Sequence, residues 1–199
     1  MSETSKFYDI PAGKIAAVVT YLEMCTAPKD GEVSVELNGE LRRVEYPDPD
    51  WYLNLFRGIG EELLWFGRLT LSKEQLSSIL RDSNYEVYVL QADGKDAGLL
   101  ELDYRTDGDC ELTYFGIIPD LVGTGTGRAL MARAIELAWS RPIRRFWLHT
   151  CTLDHPRALH FYLRAGFTAY KREIEIADDP RITGALERSA TPDVPIIEE

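Results

Sequence analysis

Along the chain, the order of apolar and polar positions assigns most elements before any chemistry is considered. Lys14 to Met24 (KIAAVVTYLEM) follows a Pro-Ala-Gly turn signal and is rich in β-branched and apolar residues, so it reads as a buried first strand. Asn38-Gly39 stands between two strand-like runs and predicts a hairpin over about 33–46, with apolar and charged residues mixed on its facing positions as at an edge or lid. Asp48 and Pro49 supply a helix cap and first turn, and Leu53, Phe56, Ile59 and Leu63 then share one face as far as Gly67. Ser72 to Gln75 reads as a capping box ahead of the stripe Leu76, Ile79 and Leu80.

The second half alternates more regularly. Residues 86–91 and 97–104 read as antiparallel strands joined by a tight turn, and a further turn leads into a strand carrying Glu111. That strand runs into a proline, then Gly123, Gly125 and Gly127, then a helical pattern with Leu130, Met131, Ala134, Ile135 and Ala138 on one face. A strand over 145–151 follows, then a helix over 153–166 with Pro156 in its first turn and Gly166 past its end, and a last strand over 167–176. From residue 177 on, the chain is polar and proline-dotted, a tail expected to wrap the surface or fray. Strands and helices interleaved in this order imply an α/β (α+β) domain, a mixed sheet with helices on both faces.

Composition narrows the setting. At 199 residues, 1–199 is read as one domain with a core of its own. The net charge of -11 argues against general nucleic-acid binding and favours cationic small molecules or basic peptide ends as partners. The sequence has no apolar run near the roughly 18 residues of a spanning helix and no secretory leader pattern, so no membrane association is expected. Cys25, Cys110 and Cys151 are too few for a disulfide framework, and a reducing, cytoplasmic location follows as the expectation. The basic run 141–145 reads as a solvated turn.

Candidate chemistry concentrates in the glycine loop. Residues without a Cβ let backbone N–H groups approach a bulky anion at a helix N-terminus, where the dipole also favours phosphate. A P-loop is excluded because Arg128-Ala129 stands where Lys-Ser/Thr is required, and no third glycine completes a dinucleotide fingerprint. Strand, proline, GTGTG and RALM resemble instead the acyl-CoA loop of the GNAT superfamily of N-acetyltransferases, whose [QR]-x-x-G-x-[GA] motif falls on residues 122–127. HPRALHFYLRAGF over 155–167 is similar to the same family's N-x-x-A-x-x-[FL]-Y-x-x-x-G-F. The likeness covers roughly 86–167 well and the N-terminal third in outline, with 33–46 as an inserted hairpin and 177–199 as a tail.

That resemblance implies a GNAT fold with a mostly antiparallel sheet. It also implies acetyl-CoA as co-substrate, no metal, and direct attack by a primary amine on a small molecule or peptide. Tyr162, turned inward with Ala158 and Ala165, would protonate the departing thiolate, and Glu111 would take the amine proton through a water. Backbone at Phe115, Gly116, Ile117 and Ile118 would hold the pantetheine arm. Val122, Gly123, Thr124, Gly125, Thr126, Gly127 and Arg128 would surround the pyrophosphate. Two residues depart from the pattern: Val122 replaces Gln or Arg, and His155 replaces Asn, either as a helix cap or as a cofactor contact. A metal site on His149, Cys151 and His155 lacks a fourth ligand at metal-like spacing, and a Cys-His nucleophile lacks an exposed elbow. Trp51, Trp65 and Phe66 read as core, with one of them available to line the acceptor pocket. Asp48, Asp50, Glu61 and Glu62 are the remaining clues to the acceptor. An acyl-CoA-binding or sensing module and a structural protein with an empty groove are the rival readings. The oligomeric state is open, a homodimer included.

Overall fold

The computed structural model describes residues 6–28 and 36–198. These residues form seven strands: β1 (Lys14–Met24), β2 (Glu40–Arg43), β3 (Tyr85–Ala92), β4 (Lys95–Asp103), β5 (Asp109–Ile117), β6 (Arg145–Cys151) and β7 (Thr168–Asp178). They form one open sheet in the order β2-β3-β4-β5-β6-β1-β7. Its pairs are antiparallel except β5 with β6.

Among the described residues, four α-helices cover the two faces. α1 (Pro49–Gly60) and α2 (Lys73–Leu80) close one face through Tyr52, Phe56, Leu76 and Leu80 against Val87, Val89 and Leu99. On the other, α3 (Thr126–Trp139) and α4 (Ala158–Arg164) pack Leu130, Met131, Phe161 and Tyr162 against Leu100, Leu112, Phe146 and Leu148. Each large side chain fully buried this way contributes roughly 1.5–3 kcal/mol, so the two layers rather than local propensity hold the sheet. Caps fix the starts of α1 and α2. Asp48 accepts from the amides of Asp50 and Trp51, and Ser72 and Gln75 form the reciprocal capping box.

In three places the chain departs from the periodicity. α1 stops at Gly60 rather than Gly67: a 3₁₀ turn at Glu61–Leu63 and Leu64 at φ 52 reverse the chain, and Trp65 folds back so that a Cβ at Gly60 would run into its ring. The first strand of the hairpin expected over 33–46 falls partly on residues 29–35, outside the described ones; the second is β2, which pairs with β3 at the sheet edge. β1 lies between β6 and β7. The helix expected from 153 begins only at Ala158, because His155 organises a turn first: its Nδ1 accepts from the Arg157 amide and its carbonyl from Ala158.

The tail wraps as a packed segment. Arg181 is 3 % exposed and Asp179 is 1 %. The guanidinium grips both Asp179 oxygens at 2.9 and 2.7 Å and donates to the carbonyls of Ala190, Thr191 and Val194. Leu186 and Ala190 then pack on Ile15 of β1 and on Leu64. A charged residue in a polar stretch gives no hydrophobic signal, so sequence periodicity does not reveal this anchor. No helix among the described residues is long and apolar enough to cross a membrane.

Candidate active site

The site begins where two strands part. β5 pairs with β6 only from Asp109 opposite Arg145 to Glu111 opposite Trp147, and beyond that point the strands diverge. On its other side, β5 slips against β4: Leu102 faces Leu112 and Glu101 faces Tyr114, so Thr113 is an extra, bulged residue. The bulge resets the alternation, so Glu111, Tyr114 and Gly116 share the α1 face while Leu112, Phe115 and Ile117 face α3. Residues from both core layers therefore line a single cleft of about 1110 Å³ that passes through the opening.

The glycine loop borders one end. Gly123 and Gly125 have φ of 87° and 95°, and a Cβ on either would meet nothing within 4 Å, so conformation rather than crowding calls for glycine there. Among the described residues, the amides of Gly123, Gly125 and Gly127 have no protein acceptor, whereas those of Val122, Thr124 and Arg128 are spent on Pro119, Leu121 and Gly125. Three free donors at the start of a 14-residue helix suit a phosphate group. Replacing Gly125 with Ala would force a left-handed alanine, and a loss of about 1–2 kcal/mol is expected in urea unfolding.

Other groups near the loop behave differently from expectation. The Thr124 hydroxyl reaches the Leu121 carbonyl at 2.7 Å and the Thr126 hydroxyl at 2.8 Å, and neither threonine lines the cleft, so both tie the loop together instead of facing an anion. Val122 and Arg128 do line it. Ile118 donates its amide to Ala97, and by the alternation of an antiparallel ladder Gly116 is turned the same way. Only Phe115 and Ile117 present amides to the open edge, where an extended amide-bearing arm could add as a strand. His155 is a lining residue as well as a turn cap. Arg157, His160 and Arg164, which sequence reading passed over, put further basic groups at the α4 end. Their spacing on a short helix carried no motif, and only its packing beside the glycine loop reveals them.

Two titratable groups flank the opening from opposite layers. Tyr162 lines the cleft and packs edge-on against Phe115, Phe161 and Phe167, and among the described residues its hydroxyl has no hydrogen-bond partner. Burial, helped by the charge of Asp154, pushes its pKa well above the ordinary value of 10.0, so the phenol keeps its proton. On the α1 side, His149 lines the cleft with Cys151, Asp154 and Glu175, whereas Glu111 stands behind it. The His149 Nδ1 lies 3.7 Å from a Glu111 oxygen, an ion-pair separation. Glu111 raises the imidazole pKa above 6.5 against the opposing effect of burial, and Asp154 and Glu175 add to the rise. His149 is thus the group facing the cleft where the sequence suggested Glu111 acting through a water. The parallel register that pairs the two strands is not readable from the sequence.

Cys151 is no nucleophile at neutral pH, since burial pushes its thiol up to about 11. Among the described residues, no group of three or more His, Cys, Asp or Glu side chains is placed to hold a metal ion.

A split mixed sheet, with free loop amides at a helix start on one side of the gap and His149 and Tyr162 beside it, defines a GNAT-type fold. The chain belongs to the acetyltransferase (GNAT) family, whose model matches residues 48–167. An uncharacterised N-acetyltransferase of Mycobacterium tuberculosis is 29% identical over 107 residues, which span 54% of this chain and 68% of that protein. Among solved structures, a functionally unknown conserved protein from Staphylococcus epidermidis superposes with a TM-score of 0.61 at 18% identity, covering 84% of this chain but 63% of that one. A putative GNAT-family acetyltransferase from Novosphingobium aromaticivorans gives 0.56 at 17% identity, covering 85% and 68%. At those identities the superpositions speak for the fold alone.

Proposed function

We propose that the protein moves an acetyl group from acetyl-CoA to a primary amine in one direct step. The observation that carries this reading is the placement of His149 and Tyr162 on opposite layers of one cleft, with the unpaired glycine amides at its end. Acetyl-CoA supplies the activated acyl group as a thioester. Gly123, Gly125 and Gly127 would donate to its pyrophosphate, Arg128 and the α4 cations would neutralise its phosphates, and the Phe115 and Ile117 amides would align its arm. As the C–N bond forms and the C–S bond breaks, His149 accepts the nitrogen's proton, and the sulfur takes the phenol proton of Tyr162. Glu111 stabilises the imidazolium that results.

The test runs in two stages. CoA is expected to raise the melting temperature by mass action, about 2.7 kcal/mol at a hundredfold excess over Kd. Free thiol should then appear from acetyl-CoA only when an accepted amine is added. Binding without thiol release from any amine would instead support a sensing module; absence of binding would leave neither reading standing.

A further inference from the structure

The end of the cleft away from the glycine loop is a rigid aromatic wall. The Trp65 and Tyr114 rings lie 5.3 Å apart at 58°, and both pack on Phe56, at 5.4 and 4.8 Å. Ile59, Leu63 and Phe66 extend the apolar surface. Gly116 lets the wall approach the gap, since a Cβ there would come within 2.5 Å of Ile59 and 3.0 Å of Trp65.

Both rings are pinned, Tyr114 from outside the cleft and Trp65 from across it. Arg68, 7 % exposed, stacks 5.0 Å from the Tyr114 centroid and donates at 3.1 Å to Glu101, which is fully buried and sits opposite Tyr114 on β4. Tyr52 and Tyr85 donate to the same carboxylate. Burial works against the Arg68 guanidinium, but Glu101 outweighs it and holds the group charged. Across the cleft, Trp65 Nε1 donates at 3.2 Å to Asp154, whose other oxygen is fixed by the Thr150 hydroxyl and the Cys151 amide. A buried ion pair adds little net stability over an apolar core of the same volume. What it adds here is a fixed position for Tyr114.

Charge is divided along the cleft. Among the described lining residues, Arg128, Arg157 and Arg164 belong to the glycine loop and α4 end, while Glu62, Asp154 and Glu175 stand around the aromatic end. Such a surface favours an ammonium group by both carboxylate charge and ring quadrupole. With the indole N–H already used on Asp154, the Trp65 and Tyr114 rings present flat apolar faces that an aromatic body fills better than a polyhydroxylated one.

We infer that this wall selects the acceptor, that the acceptor is a primary amine carried on an aromatic or other flat apolar body, and that Arg68 and Glu101 are positioning residues for it. The inference rests on the acetyltransferase reading above.

The experiment compares kcat/KM, by thiol release, for 2-phenylethylamine, glucosamine and spermidine, and repeats it with Trp65→Leu, Arg68→Lys and Glu101→Gln. An advantage of about 10-fold or more is expected for the aryl amine. Trp65→Leu should erase that advantage, and Arg68→Lys should raise the aryl amine KM several-fold at unchanged kcat and unchanged Kd for CoA. Glucosamine or spermidine as the better substrate would overturn the inference while leaving the transferase reading intact. Equal loss by Trp65→Leu on all three amines would overturn it too. Should Arg68→Lys or Glu101→Gln fail to fold, the Trp65→Leu comparison decides alone.

Discussion

Tyr162→Phe is expected to lower kcat by about 10²-fold or more while leaving the Kd for acetyl-CoA within about twofold. The substitution removes only an oxygen. The ring keeps its contacts with Phe115, Phe161 and Phe167, and the hydroxyl that is lost supports no other group among the described residues. Its absence therefore leaves the fold and groove unchanged and deprives the leaving sulfur of its proton source. Because burial keeps the phenol protonated throughout the neutral range, the wild-type acid should show no loss of function below pH 10 from this residue. Single-turnover kinetics beside calorimetric titration of CoA separates the two quantities. An unchanged kcat would mean that the thiolate leaves unassisted or takes its proton from solvent.

His149→Ala should cost a comparable factor, about 10²–10⁴-fold in kcat/KM, and its pH behaviour identifies the role. A base works when deprotonated, so activity should climb with pH through a pKa above 6.5, the value Glu111 raises. Glu111→Gln removes the carboxylate that raises it most and leaves burial, which lowers it, opposed only by the smaller effects of Asp154 and Glu175, so the acidic limb should move to lower pH. An ionising acceptor amine would also give an acidic limb. That limb would stay in place in Glu111→Gln, and a profile that does not move would assign it to the amine and remove His149 from the mechanism.

Much of this architecture can be read from local signals, because local chemistry specifies it. Asp48-Pro49, Ser72 to Gln75 and Gly166 mark helix ends through bonds and dihedrals made within a turn or two, and the structure places a boundary at each. β1 and β6 span the residues their apolar patterns predict. Tyr162 faces the cleft as its helical spacing implies. What the pattern could not convey depends on pairing across long separations. The bulge at Thr113 arises from the β4 register and leaves no mark in the composition of β5, yet it decides that Tyr114 and Gly116 share a face with Glu111. The Glu111–His149 pair needs two parallel strands joined through α3. Thr124 and Thr126 looked like anion donors because hydroxyls beside glycines suit that role, but their side chains satisfy each other and the Leu121 carbonyl first. Arg181 lies in a tail that its polar composition left free to wrap or to fray, and its burial against Asp179 is a contact no local pattern signals.

The position of β1 sets an order of assembly. Its two partners, β6 and β7, span residues 145–178, so β1 must wait until that distant stretch is made before it can pair. Strands β2 to β5 with α1 and α2 have their neighbours within a much shorter stretch and can consolidate first. Until then Leu22 and its apolar neighbours stay unsheltered on the nascent chain. A ribosome stalled in α3 would hold a half-built sheet with a sticky leading ribbon, the kind of species that chaperones capture.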